Sequence, residues 1–343
     1  MNELFPDAGE LYPLAFAPIF KERIWGGTMM REVLHRETPA SASGTPVGES
    51  WEISDRTDAE SVVTNGPLAG RTLHELLLRY REALVGRQWR GGNAFPLLVK
   101  LIDAGERLSL QVHPDAAACA ALGGGAEPKT EMWYVVAARR GAAILAGLNR
   151  RATKQLVREK VASPEIEALL QNYESHPGDA YFITAGTPHA IGAGNLILEI
   201  QQNSDTTYRL SDWGRTDAAG RSRELHIEQG MQSIHFTNRA TPRIAGVVGT
   251  ANHNRKFDVV TMCPFFSVSD LRLVDAWNDD TGGRSFHIVS AVNGPVAVSR
   301  FGVPEAARLR LAPGSSALIP AVCGSYTIEP LSPGETTVLR TTL

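Results

Sequence analysis

Ser109, Gln111 and His113 fall at alternate positions of the run 108–114. Read as a strand, this spacing puts the three polar side chains on one face, with Leu108, Leu110 and Val112 on the other. A polar row that includes a histidine, backed by an apolar row, suits the inner wall of a β-barrel that holds a metal or a polar ligand. Two further donors recur on segments of the same kind. Glu131 opens the apolar strand 132–136, and His189 follows the tight turn Ala185-Gly186-Thr187-Pro188. A histidine, a carboxylate and a third N or O donor suit a catalytic Zn²⁺, which keeps a position open for water or substrate, and Gln111, His113, Glu131 and His189 are the candidates. Ligands collected from separate strands need a rigid scaffold, and a barrel interior supplies one. Taken singly, each residue also has a plain structural reading: an inward histidine is a hydrogen-bonded core residue, and a glutamate at a strand start is solvated.

The elements that must position these donors are mostly strands. Short β-branched or aromatic runs recur between Gly, Pro, Asn and Asp at 95–102, 131–136, 180–184, 196–202 and 257–268. The pattern continues at 285–292, 296–299, 317–320 and 325–329. Many short strands with regular turns predict a sandwich or barrel. Helices are predicted from Thr72, with Leu73, Leu76, Leu77 and Tyr80 at helical spacing, and at 116–121 behind Asp115. Residues 153–172 read as a helical insertion, split into two helices by Pro164. Pro177-Gly178 and Pro313-Gly314 each precede a short apolar run that ends in a turn, as in a jelly roll. That predicts two related β-domains in tandem. The second has no histidine where the first has Pro188-His189, so it is expected to lack a metal site.

Composition bounds the rest. A chain of 343 residues exceeds one ordinary core and predicts two domains, or one with a large insertion. The apolar fraction of 43%, charged fraction of 21% and net charge of −3 describe a soluble globular protein. No run of Lys or Arg is long enough to track a nucleic-acid backbone. Three scattered cysteines (Cys119, Cys263, Cys323) argue against a disulfide framework and predict a reducing, cytoplasmic setting. Residues 1–10 lack a basic region before an apolar core, and no stretch nears eighteen apolar residues, so neither a signal peptide nor a membrane span is expected.

Several motifs fall in register with one family. Leu108-Ser-Leu-Gln-Val-His-Pro-Asp115, Pro128-Lys-Thr-Glu-Met-Trp133, the run from Gly178 through Thr187-Pro-His-Ala-Ile-Gly192, and Glu199-Ile-Gln-Gln-Asn-Ser-Asp-Thr-Thr-Tyr-Arg209 follow one another in the expected order. Earlier segments agree: Pro18-Ile-Phe-Lys-Glu-Arg-Ile-Trp-Gly-Gly27, Gly48-Glu-Ser-Trp-Glu-Ile53 and Pro96-Leu-Leu-Val-Lys-Leu-Ile102. Over most of residues 16–215 the chain resembles the type I phosphomannose isomerases, zinc-dependent mannose-6-phosphate isomerases of the cupin superfamily, in their compact bacterial form. One departure is Ala116, where the family often has a second acid after His-Pro-Asp.

The resemblance implies a mainly β fold of tandem cupin-like jelly rolls. Its catalytic zinc-binding domain would span 1–240, with the helical insertion at about 150–175, and a metal-free C-terminal β-domain would span 241–343. It implies one Zn²⁺ per chain on His113, Glu131 and His189, with Gln111 either joining them or only lining the site. Arg209 falls on the family's essential arginine and Glu199 on its candidate acid/base carboxylate, while Lys100, Ser109 and Lys129 match positions lining the substrate pocket. The implied reaction moves a proton between C1 and C2 of a sugar phosphate through an enediol, which needs a Lewis acid and a positioned base. Glu199 also reads as a structural carboxylate paired with a nearby arginine, and Arg209 as a partner of Asp212. Two rival functions stay open: another metal-dependent cupin sugar isomerase, and a non-catalytic sugar-phosphate sensor. The expected partner is a small sugar phosphate, with neither nucleic acid nor membrane, in a monomer or weak homodimer.

Overall fold

Strands Leu97–Ala104, Glu131–Ala138 and Asn195–Gln202 carry apolar side chains on both faces, a pattern that requires cover on both sides. The computed structural model describes residues 7–40, 44–216, 220–238, 241–244, 246–251, 253–302, 304 and 308–343. Residues 1–6, part of the stretch read for a signal peptide, lie outside it, as does residue 240 at the expected domain boundary. Among the described residues, four antiparallel sheets stack in layers and supply the cover.

One seven-stranded sheet runs Arg243–Ile244, Ala180–Ile183, Glu131–Ala138, Asn195–Gln202, Leu97–Ala104, Val47–Ile53, Ile19–Glu22. A five-stranded sheet faces it: Leu170–Glu174, Ala143–Leu148, His189–Ile191, Leu110–Val112, Tyr208–Ser211. Ile102, Trp133, Val135, Ile144, Tyr181 and Ile197 fill the space between the two. The opposite face of the first sheet carries Leu101, Met132, Tyr134 and Leu198, which pack on Val268, Ile288 and Leu339 of a second seven-stranded sheet. Beyond that lies a four-stranded sheet, joined to it by Leu271, Val289, Val298 and Ile328. The fold is mainly β, as the sequence predicts.

The two sandwiches share one strand plan. In each, a Pro-Gly turn with a positive-φ glycine (Gly178 at 91°, Gly314 at 83°) leads into a strand second from one sheet edge. Its neighbour is the strand opened by Glu131 in one half and by His287 in the other. The halves then diverge. Where the first turns through 184–188 into His189, the second makes a short 3₁₀ turn, Ala321–Cys323, and enters strand Ser325–Pro330 without a histidine. The halves are also tied together, because Leu14–Ala15 pairs with Ser316–Ile319.

Helix Leu73–Tyr80 starts at Thr72, whose side chain accepts from the Glu75 N–H while the Glu75 side chain accepts from the Thr72 N–H. Asp115 caps Ala116–Leu122 in the same way, accepting from the Ala118 N–H at 2.7 Å. The insertion differs from two helices. It holds α-helix Lys154–Lys160, then 3₁₀ turn Pro164–Leu169, then strand Leu170–Glu174. Pro164 cannot donate to a continuing helix, and the strand finds its hydrogen bonds on Ala143–Leu148. The run 257–268 is also two strands, Asn254–Val260 and Ser267–Leu273, broken around Pro264. Leu108 departs from the expected alternation: the strand begins at Leu110, and Leu108 packs beside Trp25 and Ile102 rather than with Leu110 and Val112.

Candidate metal centre and sugar pocket

His113, Glu131 and His189 converge from three different strand ends, their ligand atoms all within 4.8 Å of one another. Glu131 has its two oxygens 3.3 Å from His189 Nε2 and 3.4 Å from His113 Nε2. Both imidazoles are oriented from behind. His113 Nδ1 lies 2.9 Å from the Thr206 carbonyl and His189 Nδ1 lies 2.8 Å from the Thr187 carbonyl. A carbonyl only accepts, so each Nδ1 carries the proton and each Nε2 turns a lone pair towards the glutamate. Burial, helped by the nearby Lys129, pushes the His113 imidazole down to about 4, and burial also lowers His189. Both rings are therefore neutral at neutral pH.

Three buried atoms, His113 Nε2 and both Glu131 oxygens, have no hydrogen bond of good geometry among the described residues. Glu131 is fully buried; burial raises its pKa, but Lys129 (Nζ 2.8 Å away), His113 and His189 outweigh this and hold it well below the usual range. Two aligned lone pairs and an ionised buried carboxylate between them fit a divalent cation. Gln111 stands beside His189, its amide nitrogen 3.2 Å from Nε2, so a flip of the amide turns its oxygen to the same centre.

Gln111 and Lys129, which touch this cluster, also line a cavity of about 340 Å³, together with Lys100, Ser109, Glu199 and Arg209. Lys100 and Glu199 are a buried ion pair, Nζ 2.7 Å from Oε2. Trp133 Nε1 donates to the other Glu199 oxygen at 2.7 Å. Glu199 thus pairs with a lysine rather than an arginine. Arg209 does not pair with Asp212, whose carboxylate is taken by Arg215 and Arg223. Arg209 instead donates to the Glu224 carbonyl at 2.9 Å and keeps a buried Nε without a hydrogen-bond partner among the described residues.

The sequence reading missed a second acid. Glu49 accepts from Trp51 Nε1 at 2.8 Å and from Nε and Nη2 of Arg23 at 3.2 and 3.0 Å. Arg23, Asp205 and Arg223 also line the cavity. Glu49 and Trp51 alternate along Val47–Ile53, a face signal that was legible, but only the pairing of Trp51 with Lys100 brings Glu49 to the pocket.

Likeness to known proteins bears on what this arrangement is. Residues 14–134 match the family model described as phosphomannose isomerase type I, catalytic domain. GmuF of Bacillus subtilis (strain 168), a probable mannose-6-phosphate isomerase, is 34% identical over 321 residues, which is 93% of this chain and 96% of the relative. ManA from the same organism, a mannose-6-phosphate isomerase, is 38% identical over 265 residues, 76% of this chain and 79% of its own length. The crystal structure of the Bacillus subtilis mannose 6-phosphate isomerase superposes with a TM-score of 0.84 at 32% identity, covering 97% of this chain and all of that one (100%). With near-complete coverage at this identity, and the motifs of the pocket in one fold, the chain belongs to the type I phosphomannose isomerase family.

Proposed function

We propose that this chain interconverts mannose 6-phosphate and fructose 6-phosphate in the cavity beside His113, Glu131 and His189. The observation that carries the reading is the convergence of two imidazole lone pairs and a buried, ionised carboxylate beneath a wall bearing Lys100, Lys129 and Arg209. Such a wall suits a substrate with a dianion at one end and oxygens along the rest of its length.

His113, Glu131 and His189, with Gln111 as fourth donor, would hold one Zn²⁺ per chain. When bound, that ion supplies Lewis-acid stabilisation for negative charge developing on the sugar oxygens. Lys100 stays protonated: burial pulls its pKa down, but Glu199 and Glu49 outweigh burial and hold it above the ordinary value. It donates to the sugar oxygens from a fixed position. Glu199, oriented by Trp133 and Lys100, takes the proton from one carbon and returns it to the next. Arg209 binds the phosphate through its guanidinium, with Ser109 and Lys129 lining the path between. We place the boundary of the catalytic domain near residue 240. Cys119, Cys263 and Cys323 are free thiols, in keeping with a cytoplasmic enzyme, and the expected form is a monomer or weak homodimer.

The test is turnover of mannose 6-phosphate by purified protein before chelation, after chelation, and after zinc is returned. Loss and recovery with the metal is the expected result. Metal-replete protein that binds the sugar phosphate without turning it over would overturn the reading in favour of a sensor.

A further inference from the structure

The shared strand plan gives the metal cluster counterparts in the second half. Ile183 pairs with Glu131; Ile319, equally far past its own Pro-Gly turn, pairs with His287. Gln111 faces His189 at the start of its strand, and Asp280 faces Ser325 at the start of the corresponding one. Glu199 lies opposite Lys100, and Arg340 lies opposite Ser269. His287, Asp280 and Arg340 thus stand where Glu131, Gln111 and Glu199 stand. All three line a cavity of about 240 Å³.

The chemistry of this second cavity differs from that of the first. A guanidinium replaces a carboxylate, which opposes a metal ion. His287 is only 6% exposed, and its Nδ1 lies 2.7 Å from the Tyr326 hydroxyl, so Nε2 is left without a protein partner among the described residues. Asp279 accepts from Arg340 at 2.8 Å and Trp277 at 3.3 Å; Asp280 accepts from Ser325 and the Gly282 N–H, both at 2.6 Å. Arg284 is exposed and borders the cavity.

We propose that this cavity is a second, metal-free ligand site that takes a small neutral polyol, of the class of an unphosphorylated monosaccharide or alditol. It is smaller than the 340 Å³ cavity of the first half, which disfavours a sugar phosphate. Its two aspartates offset its two arginines, so it offers no net attraction to a dianion. Hydroxyl groups both donate and accept, and can meet the free imidazole nitrogen, the guanidinium and the carboxylate lone pairs together.

Saturation-transfer NMR with D-mannose and with D-glucitol tests this on the full-length, zinc-replete protein. The expected result is saturable binding that persists when mannose 6-phosphate saturates the catalytic pocket. It should weaken at least tenfold in Arg284→Ala, whose side chain is exposed, and in His287→Gln, while isomerase turnover of Arg284→Ala stays within twofold of the parent. Binding that vanishes with mannose 6-phosphate places the sugar in the catalytic pocket alone and overturns the proposal. So does binding unchanged in both variants, displacement by millimolar inorganic phosphate, or no saturable binding at all.

Discussion

Lys100 and Glu199 face each other directly across neighbouring antiparallel strands, with 2.7 Å between Nζ and Oε2. Glu49 acts on the same ammonium from the strand on its other side. The charge is therefore fixed by two carboxylates in a buried wall, and its direction is set by the sheet rather than by a flexible chain.

Lys100→Met leaves Glu199 without its cation, while Glu49 keeps Arg23. Removing one partner of a buried pair costs about 3–5 kcal/mol, which should appear as a lowered urea midpoint. Turnover should fall by roughly 10²-fold or more, because Glu199 loses its orientation as well as its neighbour. A double variant, Lys100→Met with Glu199→Leu, should recover part of the stability and none of the turnover.

Arg209→Lys keeps a charge but loses the planar fork. With a charged hydrogen bond worth about 1.5–3 kcal/mol, KM for mannose 6-phosphate should rise by about 10- to 150-fold. Inhibition by inorganic phosphate should weaken in parallel. A change in kcat alone would show that Arg209 does not hold the phosphate.

Gln111→Ala tests the fourth donor. Competition with a calibrated chelator should show zinc held about 10- to 100-fold more weakly, with His113, Glu131 and His189 retaining it. His113→Ala should abolish stoichiometric zinc in the same assay.

Much of this site is readable in the sequence, because it depends on local alternation. Ser109 and Gln111 turn to the cavity together, and Glu199 shares a face with Ile197 and Gln201 as its strand spacing implies. What stays hidden depends on pairing between distant segments. Glu49 and Lys100 are about fifty residues apart, and nothing local announces that their strands adjoin. The 3₁₀ turn Pro164–Leu169 is hidden for a similar reason: its apolar spacing suits a helix, and the strand that follows is stabilised by a distant partner. Leu108 misleads because alternation starts only where the strand does.

The second half carries a pH dependence of its own. Burial pushes the His287 imidazole down to about 4, from an ordinary value near 6.5. Between those values the unfolded chain binds a proton that the folded chain refuses, so stability falls as pH drops through the window and is fully present above it. The loss amounts to up to roughly 3 kcal/mol at its acid end. His287→Gln should flatten this part of the urea-midpoint profile between about pH 6.5 and 4.

Gly26→Ala should destabilise the fold and disturb the pocket wall beside it. A Cβ there would lie 2.6 Å from the Val47 carbonyl oxygen and 2.9 Å from the Gly48 nitrogen, both backbone atoms that cannot swing away. A cost of about 1–3 kcal/mol is expected in the urea midpoint. The neighbouring Trp25 lines the cavity, so KM should rise alongside.

The strand Glu131–Ala138 turns Glu131 and Trp133 to the pocket and Met132 and Tyr134 to the other half, where the Tyr134 hydroxyl donates to Asp270 at 3.0 Å and accepts from Arg272 at 2.9 Å. A strand read on both sides makes the distal half the back-plate of the candidate metal centre. If the proposed zinc is held there, substitutions at Asp270 or Arg272 would present in a genetic screen as its loss, and sorting variants by their distance from the pocket would misfile them as harmless.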